Sequence, residues 1–332
     1  MTTRLVMVGA GSVAQRHAQV LGGIPGVEIA AVVDPVPAQA QSLADAWGAK
    51  VYGSTGQALD DSRPDAAYIC VPPFAHGEPE REALARRIPF FVEKPLSVAL
   101  DVAEQIGQLV QDAGVVTGTG YHWRCLDTVA IARERLAAQP ALLASGYWLD
   151  KRPPVAWWGR RDRSGGQVVE QLTHVLDLTR ALLGEATEVY AAGVLRPAPD
   201  VPTGEALVRG DVDDATAATV RFASGAVATL AATSLLHTKH RAALHTFSEG
   251  LVLELTEDGL TVDDGTQRTA VRPQQDPRVA VDREFIDAVR GEREGTRAPY
   301  GEALQTHRLA CAVAESARSR DVVRLDDAEV AR

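Results

Sequence analysis

The sequence predicts an α/β protein: an N-terminal doubly wound parallel sheet, then a C-terminal α+β domain built on a large, mostly antiparallel open sheet. Three observations carry this expectation. From residue 4 to about 120, short β-type runs alternate with helical patterns, the rhythm of a parallel sheet with crossover helices. Beyond about 122 that rhythm stops, and from Thr187 short strands follow one another. The length, 332 residues, exceeds one ordinary core and suits two domains, 1–122 and 123–332, with the last helices able to pack back on the first.

In the first domain the strand runs are Leu5–Val8, Ile29–Val33, Ala67–Val71, Phe90–Val92 and Val115–Gly118. Helical patterns lie between them at Val13–Leu21, Ala38–Trp47, Glu78–Arg87 and Val102–Ala113. The second domain opens with a helix near Thr128–Ala137 and a strand near Leu142–Leu149. A loop rich in Pro, Trp and Arg follows, 151–163, and then a long helix. Ala215–Phe222 and Ala226–Ser234 flank Ala-Ser-Gly as a hairpin, with further strands at Ala242–Phe247, Leu251–Thr256 and Gln267–Val271. Helices near Asp282–Val289 and Tyr300–Ala317 close the chain, and no repeat is visible. Such an open sheet offers one broad face that needs a cover, and a second subunit, giving a homodimer or homotetramer, is the expected one.

Hydrophobic residues make up 45% and charged residues 23%, a globular composition. A net charge of −10 argues against a nucleic-acid or anionic-membrane partner, which needs a basic footprint. Cys70, Cys125 and Cys311 are odd in number and scattered, so neither a disulfide framework nor a zinc site is indicated, and no His/Asp/Glu cluster suggests another metal. The apolar run Leu5–Val8 is broken at once by Gly9, unlike a signal peptide, and no stretch nears the roughly 20 apolar residues that span a bilayer. A cytoplasmic protein is expected.

Leu5–Val8 runs into Gly9-Ala-Gly-Ser12-Val13-Ala14, a G-x-G-x-x-A pattern with a strand before and a helix after. Gly9 permits the tight turn, Gly11 leaves room for a pyrophosphate, and Ala14 lets the helix approach the strand, while helix N-terminal amides face the phosphates. Asp34 ends the second strand, 25 residues after Gly9, where a carboxylate accepts hydrogen bonds from ribose hydroxyls and repels a 2′-phosphate. No cation follows until Lys50, so NAD(H) is the expected cofactor on a Rossmann domain. The alternative for Asp34 is a turn cap before Pro35.

Two segments end predicted parallel strands, where ligands bind in such sheets: Tyr68-Ile-Cys-Val-Pro72-Pro73-Phe-Ala-His76 and Val92-Glu93-Lys94-Pro95-Leu96. With Gly120-Tyr121-His122-Trp-Arg124 and Gly165-Gly-Gln-Val-Val-Glu170-Gln-Leu-Thr-His174-Val-Leu-Asp177, they give the chain a resemblance, nearly end to end, to the Gfo/Idh/MocA dehydrogenases. At 100° per residue Glu170, His174 and Asp177 fall within about 60° of one another, a polar stripe opposite Val168, Leu172, Val175, Leu176, Leu182 and Leu183. A solvated face is the bland reading of that stripe.

The resemblance implies an NAD(H)-dependent dehydrogenase moving hydride between nicotinamide and a secondary hydroxyl or ketone of a sugar, inositol-like polyol or sugar derivative. It implies catalytic roles for Lys94 and His174, jointly in proton transfer and substrate-oxygen binding, with Glu170 polarising them across the cleft; either is a candidate base. Gly9, Gly11, Ser12, Val13, Ala14, Asp34, Pro72, Pro73, His76, Glu93 and Lys94 are the expected cofactor contacts. Tyr121, His122, Arg124, Trp157, Trp158, Glu170 and His174 are the expected substrate contacts.

Glu170 stands where the family pattern has Asp, and His122 where it has Asn, so a familiar family substrate does not carry over. The basic loop 151–163 suits either sugar stacking and anion gripping or an inter-subunit contact anchored by its tryptophans. Two other classes share the fold: a non-catalytic NAD-binding sensor, separated by absence of turnover, and an NAD-dependent glycosidase, which releases sugar without accumulating NADH.

Overall fold

The computed structural model describes residues 2–196, 200–203 and 206–325. They form two compact units, one of residues 2–125 and 277–304, the other of the described residues within 126–276 and of 305–325.

The first unit holds β1 (Thr3–Val8), α1 (Ser12–Gly22), β2 (Val27–Val33), α2 (Pro37–Trp47), β3 (Lys50–Tyr52), α3 (Thr55–Ser62), β4 (Ala66–Ile69), α4 (Glu78–Ala85), β5 (Phe90–Val92), α5 (Leu100–Ala113) and β6 (Thr117–Thr119). All six strands are parallel, in the order β3-β2-β1-β4-β5-β6. The order reverses at β1 and β4, and ligands of such sheets bind beyond the carboxyl ends of the strands at that reversal.

Both sheet faces are covered. One apolar cluster gathers Leu5, Met7, Tyr68, Phe91, Phe285 and Ile286; the other gathers Val6, Val8, Ile69, Phe90, Tyr121 and Tyr300. The central strands are therefore apolar on both faces, and their continuous hydrophobic runs follow from that. β3 and α3 escape the sequence pattern, because Lys-Val-Tyr is short and largely exposed and Thr-Gly-Gln-Ala-Leu-Asp-Asp-Ser is polar.

The second unit contains α6 (Asp127–Ala138), β7 (Leu143–Lys151), α7 (Arg161–Ser164), α8 (Thr173–Leu183), β8 (Ala186–Val194), β9 (Asp200–Thr203), β10 (Ala206–Arg209), β11 (Ala215–Phe222), β12 (Val227–Leu236), β13 (Arg241–Ser248), β14 (Leu251–Thr256), β15 (Gly259–Asp263) and β16 (Arg268–Val271). After it, α9 (Pro277–Val289) returns to the first unit. The helix α10 (Tyr300–Ser319) starts in the first unit and runs into the second, which β17 (Val323–Arg324) ends.

Nine strands form one sheet, β16-β15-β14-β13-β7-β12-β11-β8-β17, antiparallel except where β7 meets β12. Burial alternates along β7 and β11, so one face is packed. The other is half-exposed and carries Tyr190, Val194, Leu143 and Leu235 among its larger apolar residues.

The long helix before β8 differs from expectation. Val168–Leu172 is a π turn that leads into α8. A constant 100° per residue does not apply across a widened turn, so Glu170 is not one regular turn from His174. Every residue from Thr173 to Arg180 is also buried, so α8 has no solvated polar face.

Candidate active site

The phosphate end starts at the β1–α1 turn. Gly9 has φ +99°, and a Cβ there would come 2.5 Å from the carbonyl oxygen of Cys70, so only glycine lets β1 and β4 run this close. At Gly11 an added Cβ meets nothing within 4 Å. The first turn of α1 has no side-chain cap, Ser12 and Val13 are exposed, and Ala14 is fully buried against the sheet. Open volume in front of uncapped amides fits a pyrophosphate.

Asp34 is a turn cap by its hydrogen bonds and keeps acceptor capacity for the ribose role expected of it. Its Oδ2 accepts from the Ala10 N–H (2.7 Å) and its Oδ1 from the Val36 N–H (2.8 Å), which fixes the carboxylate beside the glycine turn. Each oxygen retains a lone pair for a ribose hydroxyl. Pro72 and Pro73 open the turn after β4, and His76 follows, buried, with Nδ1–H donating to Glu80 (2.6 Å). That bond leaves Nε2 as the free ring nitrogen, and it is a buried polar atom with no hydrogen-bond partner among the described residues. Such an atom fits a donor or acceptor supplied by a bound nucleotide.

Lys94 is half-buried beyond β5, and the Lys94–Pro95 peptide is cis. Its neighbour Glu93 is the hub of a buried cluster. Glu93 accepts from His17 Nε2 (2.9 Å), Arg16 (3.2 Å) and the Lys94 N–H (3.0 Å), while His17 Nδ1–H reaches Asp282 (2.7 Å). Burial opposes every one of these charges. It is overcome at His17, where Asp282 and Glu93 raise the imidazole to about 9, and at Glu93, where His17, Arg16 and Lys94 hold the carboxyl down at about 2. At Asp282 burial wins and its carboxyl is raised despite His17.

His17 is not among the residues that the sequence motifs single out. Its signal was a histidine on the apolar Ala14, Ala18, Leu21 face of α1, which demands a buried partner. Asp282, 265 positions away, was beyond local patterning.

In the second unit Glu170 is half-exposed and accepts from Trp158 Nε1 (3.0 Å). His174 is buried and stacks on Trp148 (centroids 5.5 Å apart, planes 24°); the Lys239 amine lies 4.7 Å over the same indole. Asp177 is turned elsewhere, accepting from Thr306 Oγ1 (2.7 Å), which itself accepts from Arg180.

Several expected substrate contacts are otherwise engaged. Tyr121 is fully buried in the first unit's apolar cluster, and Arg124 pairs with Glu302 (3.1 Å) and donates to the Arg297 carbonyl. His122 is buried, its Nδ1 3.3 Å from the Gly120 carbonyl oxygen. Trp158 is buried too, with Arg152 over its ring and its N–H on Glu170; Trp157 is half-exposed. Arg160 pairs with Asp162 and Arg161 with Asp213, while the Arg161 backbone N–H donates to Asp211, so two of the loop's guanidiniums are answered by carboxylates. Among the described residues no group of His, Cys, Asp and Glu is arranged to hold a metal, and no helix is long and apolar enough to cross a membrane.

Residues 3–121 match the model of an oxidoreductase family with an NAD-binding Rossmann fold, and residues 141–251 match the Gfo/Idh/MocA C-terminal domain. The chain is 30% identical over 240 residues to the oxidoreductase YrbE of Bacillus subtilis, covering 69% of this chain and 67% of that one. It is 28% identical over 229 residues to the scyllo-inositol 2-dehydrogenase (NAD(+)) of the same organism, covering 67% and 65%. These alignments thus span about two thirds of the relatives' length. A levoglucosan dehydrogenase solved with NADH and levoglucosan shares the fold over 98% of this chain and 100% of its own, with TM-score 0.87 and 20% identity. Sequence match and fold agree with the glycine turn and the six-stranded parallel sheet: the chain belongs to the Gfo/Idh/MocA family of NAD-binding oxidoreductases.

Proposed function

We propose that the chain is an NAD(H)-dependent dehydrogenase that moves hydride between nicotinamide and a secondary hydroxyl or ketone of a sugar, an inositol-like polyol or a sugar derivative. The observation that carries this reading is Lys94, half-buried beyond a parallel strand of the sheet that bears the phosphate cradle, with its backbone held by Glu93. When bound, the cofactor supplies hydride acceptance or donation at its nicotinamide.

The remaining chemistry falls to the protein. As an alcohol is oxidised its hydroxyl proton must leave, and Lys94 and His174 are the groups we assign jointly to that proton and that oxygen. Trp148 fixes the plane of the His174 ring, and Trp158 fixes Glu170. The inositol and levoglucosan dehydrogenases among the relatives and neighbours support a hydroxyl-rich substrate. Free thiols at Cys70, Cys125 and Cys311 support a cytoplasmic setting, and the half-exposed outer face of the nine-stranded sheet supports a homodimer or homotetramer formed through it.

A panel of polyols, sugars and sugar acids with NAD⁺, followed by NADH absorbance, tests the reading. Lys94→Met and His174→Ala should each lower turnover roughly 10²-fold or more while NADH still binds. Sugar release without NADH accumulation identifies a glycosidase instead. NADH binding with no turnover on any hydroxyl substrate identifies a sensor.

A further inference from the structure

We infer that His17 is a positioning residue for the Lys94 segment: doubly protonated and clamped between Asp282 and Glu93, its ring fixes the Glu93 carboxylate against the Lys94 amide. The inference rests on the reading of Lys94 as a proton-transfer group and names what holds it in place.

The chain of contacts is continuous. Asp282 on α9 takes Nδ1–H of His17 at 2.7 Å, Nε2–H reaches Glu93 Oε1 at 2.9 Å, and Glu93 Oε2 accepts the Lys94 N–H at 3.0 Å. Donating from both ring nitrogens at once requires the imidazolium, since neutral imidazole carries one N–H. The carboxylate is confined from the other side as well, because a Cβ at Gly120 would lie 2.7 Å from Glu93 Cδ. Glu93 therefore rests on bare backbone with one orientation available.

Of the remaining groups around the ring, one is a cation that shares Glu93 and two are neutral aromatics. Arg16 on the same helix reaches Glu93, and Tyr68 of β4 and Phe91 of β5 put their rings 5.6 and 5.1 Å from His17. The Tyr68 phenol and the nearby Cys70 thiol stay protonated well above their ordinary range, through burial and the same carboxylates. Asp282 and Glu93 are thus the two anions His17 answers to. None of these groups is exposed enough for water to replace the ring, apart from the half-exposed Arg16. A histidine that merely filled the core would need one partner, and this one spans α9 and the β5 end.

Amide hydrogen exchange of the apoprotein, resolved to Lys94, tests the clamp without substrate or cofactor. In His17→Gln the Lys94 amide should lose protection by about tenfold or more, while the Phe91 amide in the sheet keeps its own. Asp282→Asn, which changes one atom and keeps the volume, should act in the same direction, and it carries the test if His17→Gln does not fold. In the wild type, protection of Lys94 corrected for intrinsic exchange should fall as pH rises through the His17 titration, followed by the imidazole NMR signals. Turnover of both variants should fall more than NAD⁺ or substrate KM rises.

Unchanged Lys94 exchange in a folded variant, or a neutral His17 ring at pH 7, overturns the inference. Full activity of Lys94→Met would instead sink the assignment of Lys94 while leaving the clamp standing, so the two failures are distinct.

Discussion

Gly9→Ala and Gly11→Ala are one methyl apiece, two positions apart, and should fail in opposite ways. At Gly9 the backbone has φ +99°, which costs an L-residue roughly 1–2 kcal/mol. The new carbon would also meet the Cys70 carbonyl oxygen and carbon at 2.5 and 2.8 Å, and because these are backbone atoms β1 and β4 must part, adding about 1–3 kcal/mol. The sum, about 2–5 kcal/mol, should lower Tm by roughly 5–15 °C for a unit of this size. Gly11 has φ −69° and open space before it, so alanine should cost only tenths of a kcal/mol to about 1 kcal/mol as a poorer cap. Its methyl occupies volume the pyrophosphate needs, and a penalty of about 1.4–3 kcal/mol raises the NADH Kd roughly 10- to 100-fold. Thermal unfolding by circular dichroism and NADH fluorescence titration separate the two effects. A Gly11→Ala protein that binds NADH like the wild type would refute the placement of the phosphate.

Trp158→Phe removes the indole N–H from Glu170 and keeps most of the volume, so kcat should fall roughly 10- to 100-fold, consistent with about 1.5–3 kcal/mol for a hydrogen bond to a charged group. Trp158→Ala should also destabilise by about 3–5 kcal/mol, readable as a lost melting temperature, whereas Trp157→Ala should raise substrate KM alone. Catalytic efficiency should favour NAD⁺ over NADP⁺ by at least about tenfold, since Asp34 repels a 2′-phosphate, and Asp34→Asn should narrow the gap. A folded-state pKa of about 9 against 6.5 for His17 corresponds to about 3 kcal/mol of stability. Because the value is raised on folding, that stability is complete below pH ~6.5 and lost as pH climbs toward ~9. Glu93 reports the same attraction from the acid side: depressed to about 2, its share is present above pH ~4.5 and lost on falling toward ~2. Urea midpoints across pH should show both slopes, and His17→Gln should flatten the alkaline one.

Much of this was written locally. The glycine turn, Asp34 and Lys94 sit where strand ends and turn chemistry place them, and Phe90–Val92 and Leu251–Thr256 have the bounds their apolar runs suggest. What local patterning missed depends on distant packing. Asp282 meets His17 only because α9 lies against α1, and Trp148 meets His174 only because α8 crosses β7. Helical periodicity cannot reveal the π turn that carries Glu170, and the hydrogen bond from the Trp158 N–H to Glu170 has no local sequence signal. Arg161 looked free to grip an anion because Asp211 and Asp213 lie some fifty residues away in sequence.

The first unit is interrupted: its sheet is finished by residue 119, yet α9 arrives only after residues 126–276 of the second unit have been made. On the ribosome, the nucleotide-binding half therefore waits for its last helix with Tyr68 and Phe91 lacking their Phe285 partner and His17 lacking Asp282. A gene cut after residue 125 would encode every strand and every phosphate-facing glycine, and would still leave an aromatic seam open to water. Anyone wishing to isolate this half should splice 277–304 back with a short linker, because the natural boundary in sequence is not the boundary in space.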